Sequence, residues 1–250
     1  MIELKTAREL EKMKKACQIS AEAIKVAQSA LQVGVSTAYV DDKVREYIVS
    51  QGARPTFLGY GGFPKSACIS VNEELIHGIP SKNRIIKDGD IVSVDVGAFI
   101  DGYTGDNAAT FASGNVSEEA KRLMAVTKES LLRAVEVCVP GNRIGDIGYA
   151  VQGYVEENGY SIVRDYVGHG VGKKLHEDPE VPNFGKPGHG ARLVPGMTIA
   201  IEPMVNLGRP EVEVLANDWT VVTKDRQLSA HFEYSVAITD KGPVVLTQWG

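Results

Sequence analysis

The spacing of apolar residues divides the chain before any chemistry is considered. In residues 6–32, Leu10, Met13, Cys17, Ala21 and Ile24 follow the helical period, which predicts an amphipathic helix. Thr6 and Glu9 have the spacing of a capping box and mark its start. A turn from Val33 to Thr37 leads into a second helix, about 37–51, ended by Gly52. From about 67 to 112, strand-like segments alternate with glycine turns. A third helix follows Asn115-Val116-Ser117, with Ser117 or a neighbour as its cap, and runs to about Cys138. A fourth spans roughly 143–158 and stops before Gly159; beyond 161 the pattern is mostly strands and loops.

Two helices followed by strands therefore occur twice. A shift of 107 residues superposes Gly34 on Gly141, Val44 on Val151, Tyr47 on Tyr154 and Gly52 on Gly159. Any two amphipathic helices share a few positions, but here the flanking turns match as well, so we read an internal repeat. Each half also carries a His-x-x-Pro, at His77–Pro80 and His176–Pro179. The expected fold is α+β. A single domain is expected over 1–250, with halves of approximately 1–113 and 114–250 related by a pseudo-two-fold axis. Antiparallel strands form a curved sheet with helices on one face, and the cleft between the halves is the natural place for a site.

Composition narrows the function classes. The 250 residues are 43% hydrophobic and 24% charged, the values of an ordinary globular protein. A net charge of −5 argues against a nucleic-acid partner held by a basic surface. Three cysteines without a CxxC pair suggest reduced thiols and a cytoplasmic setting. The first residues lack the apolar core of a signal peptide, and no apolar run approaches the roughly 20 residues of a spanning helix, so no membrane role is expected. With no coiled-coil pattern or isolated apolar face, a monomer is expected.

Five metal-capable residues stand out: Asp95, Asp106, His169, Glu202 and Glu233. Each lies in an apolar or glycine-rich segment where a lone charge is costly. Asp95 and Glu202 follow the runs Ile91–Val94 and Met197–Ile201, and Glu233 follows His231-Phe232. A hydrogen-bond network would explain Asp95 alone equally well, but four companions of the same character favour a metal. Four carboxylates and one imidazole suit two divalent cations. Asp101-Gly102 is a hairpin signal that would bring Asp95 and Asp106 side by side and leave Asp101 at the tip, not as a ligand. Glycines around His169 allow close backbone approach, but the stretch is neither GxGxxG nor a P-loop. His176 reads as a second ligand, a transition-state stabiliser or a surface residue. His231, two residues before Glu233, reads as a support behind the ligands or a plain strand residue, His77 standing alone reads as structural, and His189 has no role.

These residues resemble the type I methionine aminopeptidases over almost the whole chain. The matching segments are Asn72–Pro80, Asp95-Val96-Gly97 with Asp106, Gly168–Gly172, Leu175–Pro179 and Ile201–Met204. The resemblance implies the pita-bread fold and a dinuclear site. His169, Glu202, Asp106 and Glu233 would hold one ion, and Asp95, Asp106 and Glu233 the other. It further implies Glu202 as proton carrier, His176 as oxyanion donor and His77 at the scissile or next amide. Tyr60, Phe63, Cys68 and Trp219 would form the methionine pocket and rim. Phe57 matches too, but ordinary core packing is the stronger reading for it. Gly59–Lys65 has the glycines of a small lid.

The metals implied are manganese, iron, cobalt or zinc, with a monovalent cation near Asn72 and Ser229. The implied substrate is the N-terminus of nascent polypeptides, with small second residues preferred and any ribosome contact transient. One departure is visible: Tyr234-Ser235 stands where His-Thr is the commonest pair. Aminopeptidase P and prolidase share the ligands but carry an additional N-terminal domain for which this chain has no room. A type II enzyme needs an insertion that the short interval from His169 to Glu202 excludes. A binding protein on the same fold would have lost ligands that are all present here.

Overall fold

The computed structural model describes residues 1–249, and its helices start where side chains can cap them. In α1 (Ala7–Ala30) the Thr6 hydroxyl accepts from Glu9 N, while the Glu9 carboxylate accepts from Thr6 N at 2.9 Å. These bonds satisfy amides that the first helical turn leaves without partners. Ser36 caps α2 (Thr37–Ser50). The two-residue β1 (Arg54–Pro55) leads to β2 (Ala67–Val71), β3 (Glu74–Ile76), β4 (Ile91–Ile100) and β5 (Tyr103–Ala112). Ser117 caps α3 (Glu118–Glu136), which is followed by α4 (Ile144–Glu157). The second half then adds ten short strands. These are β6 (Ser161–Ile162), β7 (Gly168–Gly170), β8 (Glu177–Val181), β9 (Thr198–Ile201), β10 (Met204–Asn206), β11 (Val212–Val214), β12 (Val221–Thr223), β13 (Ser229–His231), β14 (Tyr234–Thr239) and β15 (Gly242–Val245). All four predicted helices are present, each within two residues of its expected bounds.

Every strand pair is antiparallel. In the first half β4 is central, flanked by β2 and β5, with β1 at its end. In the second half the order is β15-β14-β9-β7-β8, and β13-β10-β6 and β11-β12-β3 complete the sheets. The repeat is visible in individual hydrogen bonds. Gly34 N donates to Ile86 O and Gly141 N to Leu193 O, both offset by the same 107 residues. The bridges Ser36↔Ile85 and Arg143↔Arg192 keep that offset. Glycines 34, 52, 141 and 159 all have positive φ, so each matched turn uses a conformation that favours glycine.

The β4–β5 hairpin turns through Asp101 (φ 53°) and Gly102 (φ 87°), the left-handed pair expected of a two-residue turn. Its register places Asp95 opposite Ala108 and Asp106 opposite Gly97. The two aspartates share one face diagonally, two positions apart, rather than directly side by side.

Helix α1 packs its Met13, Cys17 and Ile24 face on this hairpin. Contact is closest at Gly105, where an added Cβ would stand 2.4 Å from the Cys17 backbone. Gly105→Ala is therefore expected to force helix and strand apart and destabilise the protein by about 1–3 kcal/mol or more. A urea titration monitored by circular dichroism checks this, and a midpoint equal to that of the unsubstituted protein would contradict it.

Candidate metal centre

Four hairpin and sheet segments deliver their acids to one cavity. Asp95 comes from β4 and Asp106 from β5. Glu202 follows β9, and Glu233 sits between β13 and β14, its N–H bonded to Ala108 O at 2.9 Å. His169 lies on β7, between β8 and β9. Ligand atoms of Asp106, His169 and Glu233 all lie within 4.8 Å of one another. His169 Nε2 is 3.7 Å from Asp106 Oδ2 and 3.5 Å from Glu202 Oε1. Asp95 and Glu202 line the same cavity. The five expected residues are thus brought together.

The residues fit divalent cations on their own chemistry. Asp95 Oδ1, Asp106 Oδ1 and Glu233 Oε1 are buried without hydrogen-bond partners, and no lysine or arginine is among the side chains lining the cavity. A buried, unpaired carboxylate oxygen is costly unless a cation meets it. His169 Nδ1 lies 2.8 Å from Gly170 O. A carbonyl only accepts, so Nδ1 carries the proton and Nε2 turns its lone pair toward the acids, the arrangement of a ligating imidazole.

Burial dominates the electrostatics. It pushes Asp95 and Glu202 up to about 7, and lifts Asp106 and Glu233 well above the usual carboxylate range. For Asp106 the charge of Asp95 adds to the effect, and for Glu233 that of Asp106. Burial holds His77 down to about 4 and lowers His169, His176 and His231, so these imidazoles are neutral at pH 7.

The remaining expected residues form the cavity of about 190 Å³ beside the acids. Phe63, Cys68 and Leu175 are buried together with Phe57, and Trp219 packs against them. Phe57 is core and lining at once, so packing and pocket are not alternatives for it. Trp219 meets Phe63 edge-on with centroids 5.1 Å apart and stands 6.3 Å from the His77 ring. Tyr60 Oη is 2.7 Å from His176 Nδ1, and the His176 ring lies 4.3 Å from that of His169. His77 adopts φ 58°, a strained conformation for a non-glycine residue and common at functional sites. His189 is exposed in a distant loop.

Sequence reasoning missed Tyr166, Val167, Leu175 and Ile76 as lining residues. Their only signal was adjacency to His169, His176 and His77. His231, left open above, is buried with Nε2 unpartnered, 3.6 Å from Glu202 Oε2. Tyr234 is a core residue, while the Ser235 hydroxyl donates to Asp106 O at 2.8 Å and braces the hairpin. Asn72 and Ser229, implied for a monovalent cation, are bonded to each other through Ser229 N and Asn72 O.

A sequence model described as metallopeptidase family M24 matches residues 11–240. The chain is 54% identical to the methionine aminopeptidase of Clostridium acetobutylicum over 247 residues, covering 99% of each. It is 43% identical to that of Escherichia coli K12, covering 98% of this chain and 94% of the relative. The solved methionine aminopeptidase of Thermotoga maritima matches with a TM-score of 0.98 at 46% identity, covering 99% of this chain and 100% of that one. A prolidase from Pyrococcus furiosus matches at 0.79 and 28%, covering 98% of this chain but 65% of the prolidase.

The raised carboxylates give a signed pH dependence. Folded and metal-free, they keep protons that the unfolded chain releases near pH 4, so stability is lost as pH rises through the folded values. The histidines act with the opposite sign, but only below their ordinary 6.5. Between pH 6.5 and 8 the metal-free protein should therefore lose about 1.4 kcal/mol per pH unit for each proton retained. Saturating Mn²⁺ should remove the decline. Thermal melts with and without the ion check this, and a flat metal-free profile would contradict it.

Proposed function

The chain belongs to metallopeptidase family M24, among the methionine aminopeptidases, and we propose that Asp95, Asp106, His169, Glu202 and Glu233 hold two divalent ions at its active site. It is a metal-dependent aminopeptidase that removes methionine from polypeptide N-termini. The observation that carries the site reading is the trio of buried oxygens without hydrogen-bond partners, on Asp95, Asp106 and Glu233, in a cavity lined by no lysine or arginine. Bound there, the ions supply Lewis acidity, polarising a carbonyl and making water acidic enough to attack near neutral pH.

The protein's own side chains do the rest. Phe57, Phe63, Cys68 and Trp219 enclose an unbranched thioether, with aromatic edges and a thiol that suit sulfur. Tyr60 covers the rim. Glu202, lining the cavity 3.5 Å from His169, is placed to take a proton from the attacking water and return it to the leaving nitrogen. With Tyr60 Oη donating to Nδ1, His176 keeps its proton on Nε2 and offers it to the developing oxyanion. Neutral His77, fixed between Tyr166 and Trp219, meets the amide at the second residue and disfavours large side chains there.

Carboxylate-rich sites accept several metals, so manganese, iron, cobalt and zinc are all within this reading. A monovalent cation near Asn72 and Ser229 is a further part of it. The substrates are nascent chains met in the cytoplasm by a monomer whose ribosome contact is transient. Among the described residues no helix is long and apolar enough to cross a membrane.

Protein stripped with EDTA and resupplied with each metal should release methionine from Met-Ala-Ser and leave Ala-Pro-Gly intact. Cleavage of Ala-Pro-Gly would move the assignment to the proline-directed relatives. Glu202→Gln should lower kcat by about 10²–10⁴-fold if Glu202 carries the proton. A loss of less than tenfold would remove it from that role.

A further inference from the structure

We propose that Lys5 is a positioning residue for His176, acting through Glu177; the inference rests on the aminopeptidase reading above. Lys5 precedes α1, and its main-chain N–H donates to Gly196 O at 2.7 Å. Its ammonium pairs with Glu177 Oε2, and the two side chains are only 3% and 7% exposed. Fully buried lysines are rare, and a buried ion pair is a weak source of stability because both charges lose their water. Its position in the fold supplies a reason for it.

Glu177 is the residue after His176. Its other carboxylate oxygen, Oε1, accepts from Lys174 N at 3.0 Å and closes the turn that carries Leu175 and His176. Lys5 lies directly beneath: an added Cβ at Gly172 would stand 2.4 Å from Lys5 Cε. Gly172 O in turn accepts from Thr104 N at 2.7 Å, tying the turn to the hairpin that bears Asp106. The turn from Gly172 to Glu177 is thus seated on Lys5 from behind.

His176 has a second anchor on its ring, the Tyr60 hydroxyl. Tyr60 is 46% exposed and sits in a loop with Gly59, Gly61 and Gly62 around it. The Lys5–Glu177 pair is the buried anchor, set behind the cavity, and Lys5 lines no part of that cavity. Without the ammonium, the Glu177 carboxylate would be left buried and unpaired, and the turn must shift to reach water. A displacement of about 1 Å in an oxyanion donor is enough to cost on the order of a hundredfold in rate.

The test is a double-mutant cycle on the manganese-loaded enzyme with Met-Ala-Ser as substrate. Lys5→Met should lower kcat about ten- to hundredfold, with KM and the calorimetric affinity for Mn²⁺ unchanged, and Lys5→Arg should retain most of the rate. In a His176→Ala background, Lys5→Met should cause no further loss, because the group it positions is gone. Equal losses in both backgrounds, or a parallel fall in Mn²⁺ affinity, would overturn the proposal. Should Lys5→Met fail to fold, Glu177→Gln enters the same cycle with the same criteria, since its amide oxygen still accepts from Lys174. Failure of the aminopeptidase reading is distinguishable, because the unsubstituted enzyme would then release no methionine.

Discussion

Four carboxylates, Asp106 and Glu233 buried and Asp95 and Glu202 half-buried, face one cavity with no lysine or arginine among its lining side chains, and they repel one another. The chain itself supplies only imidazoles there, and burial keeps those neutral. Protons relieve that repulsion in the absence of metal, and divalent cations would supply the compensating charge to the ionised acids. Each acid is carried on or beside a hydrogen-bonded strand. The hairpin bearing Asp95 and Asp106 is pinned by α1 at Gly105 and by the Ser235 hydroxyl.

The repeat explains how two halves come to share this task. The offset that relates Gly34 to Gly141 also relates the start of β4 to that of β9, and Asp95 to Glu202. Each half therefore contributes an acid from an equivalent strand. The symmetry stops at the histidines. His169 comes from a short strand with glycines on both sides, and His231 closes on Glu202 from β13. The second half supplies His169, His176 and His231, while the first supplies His77, the hairpin and the aromatic pocket wall at Phe57 and Phe63.

The departure at Tyr234-Ser235 has a local explanation. Ser235 supplies a hydroxyl to the Asp106 backbone, a bond that a threonine hydroxyl can also make. Tyr234 is buried among apolar side chains and offers nothing to the cavity. The pair thus preserves the brace behind the hairpin, and the ligand set in front of it is untouched. The prolidase match spans nearly all of this chain but only part of the prolidase, so what the two share is this fold.

Local patterns were sufficient for the helices, their caps at Thr6 and Ser117, the Asp101-Gly102 turn and the choice of the five metal-capable residues. Each of these is written in a few adjacent residues, through period, capping chemistry or the cost of a charge in an apolar run. The resemblance then supplied roles for His77, His176 and Glu202 that spacing alone left open. Tertiary structure decided what depends on distant segments meeting. It set the diagonal placement of Asp95 and Asp106, the exposure of Phe57 to the cavity and the addition of Tyr166 and Leu175 to its lining. It also set the approach of His231 to Glu202 and the pairing of Lys5 with Glu177. Such contacts join residues up to 172 positions apart. Their geometry is fixed by packing and register across the two halves, and no local pattern encodes that.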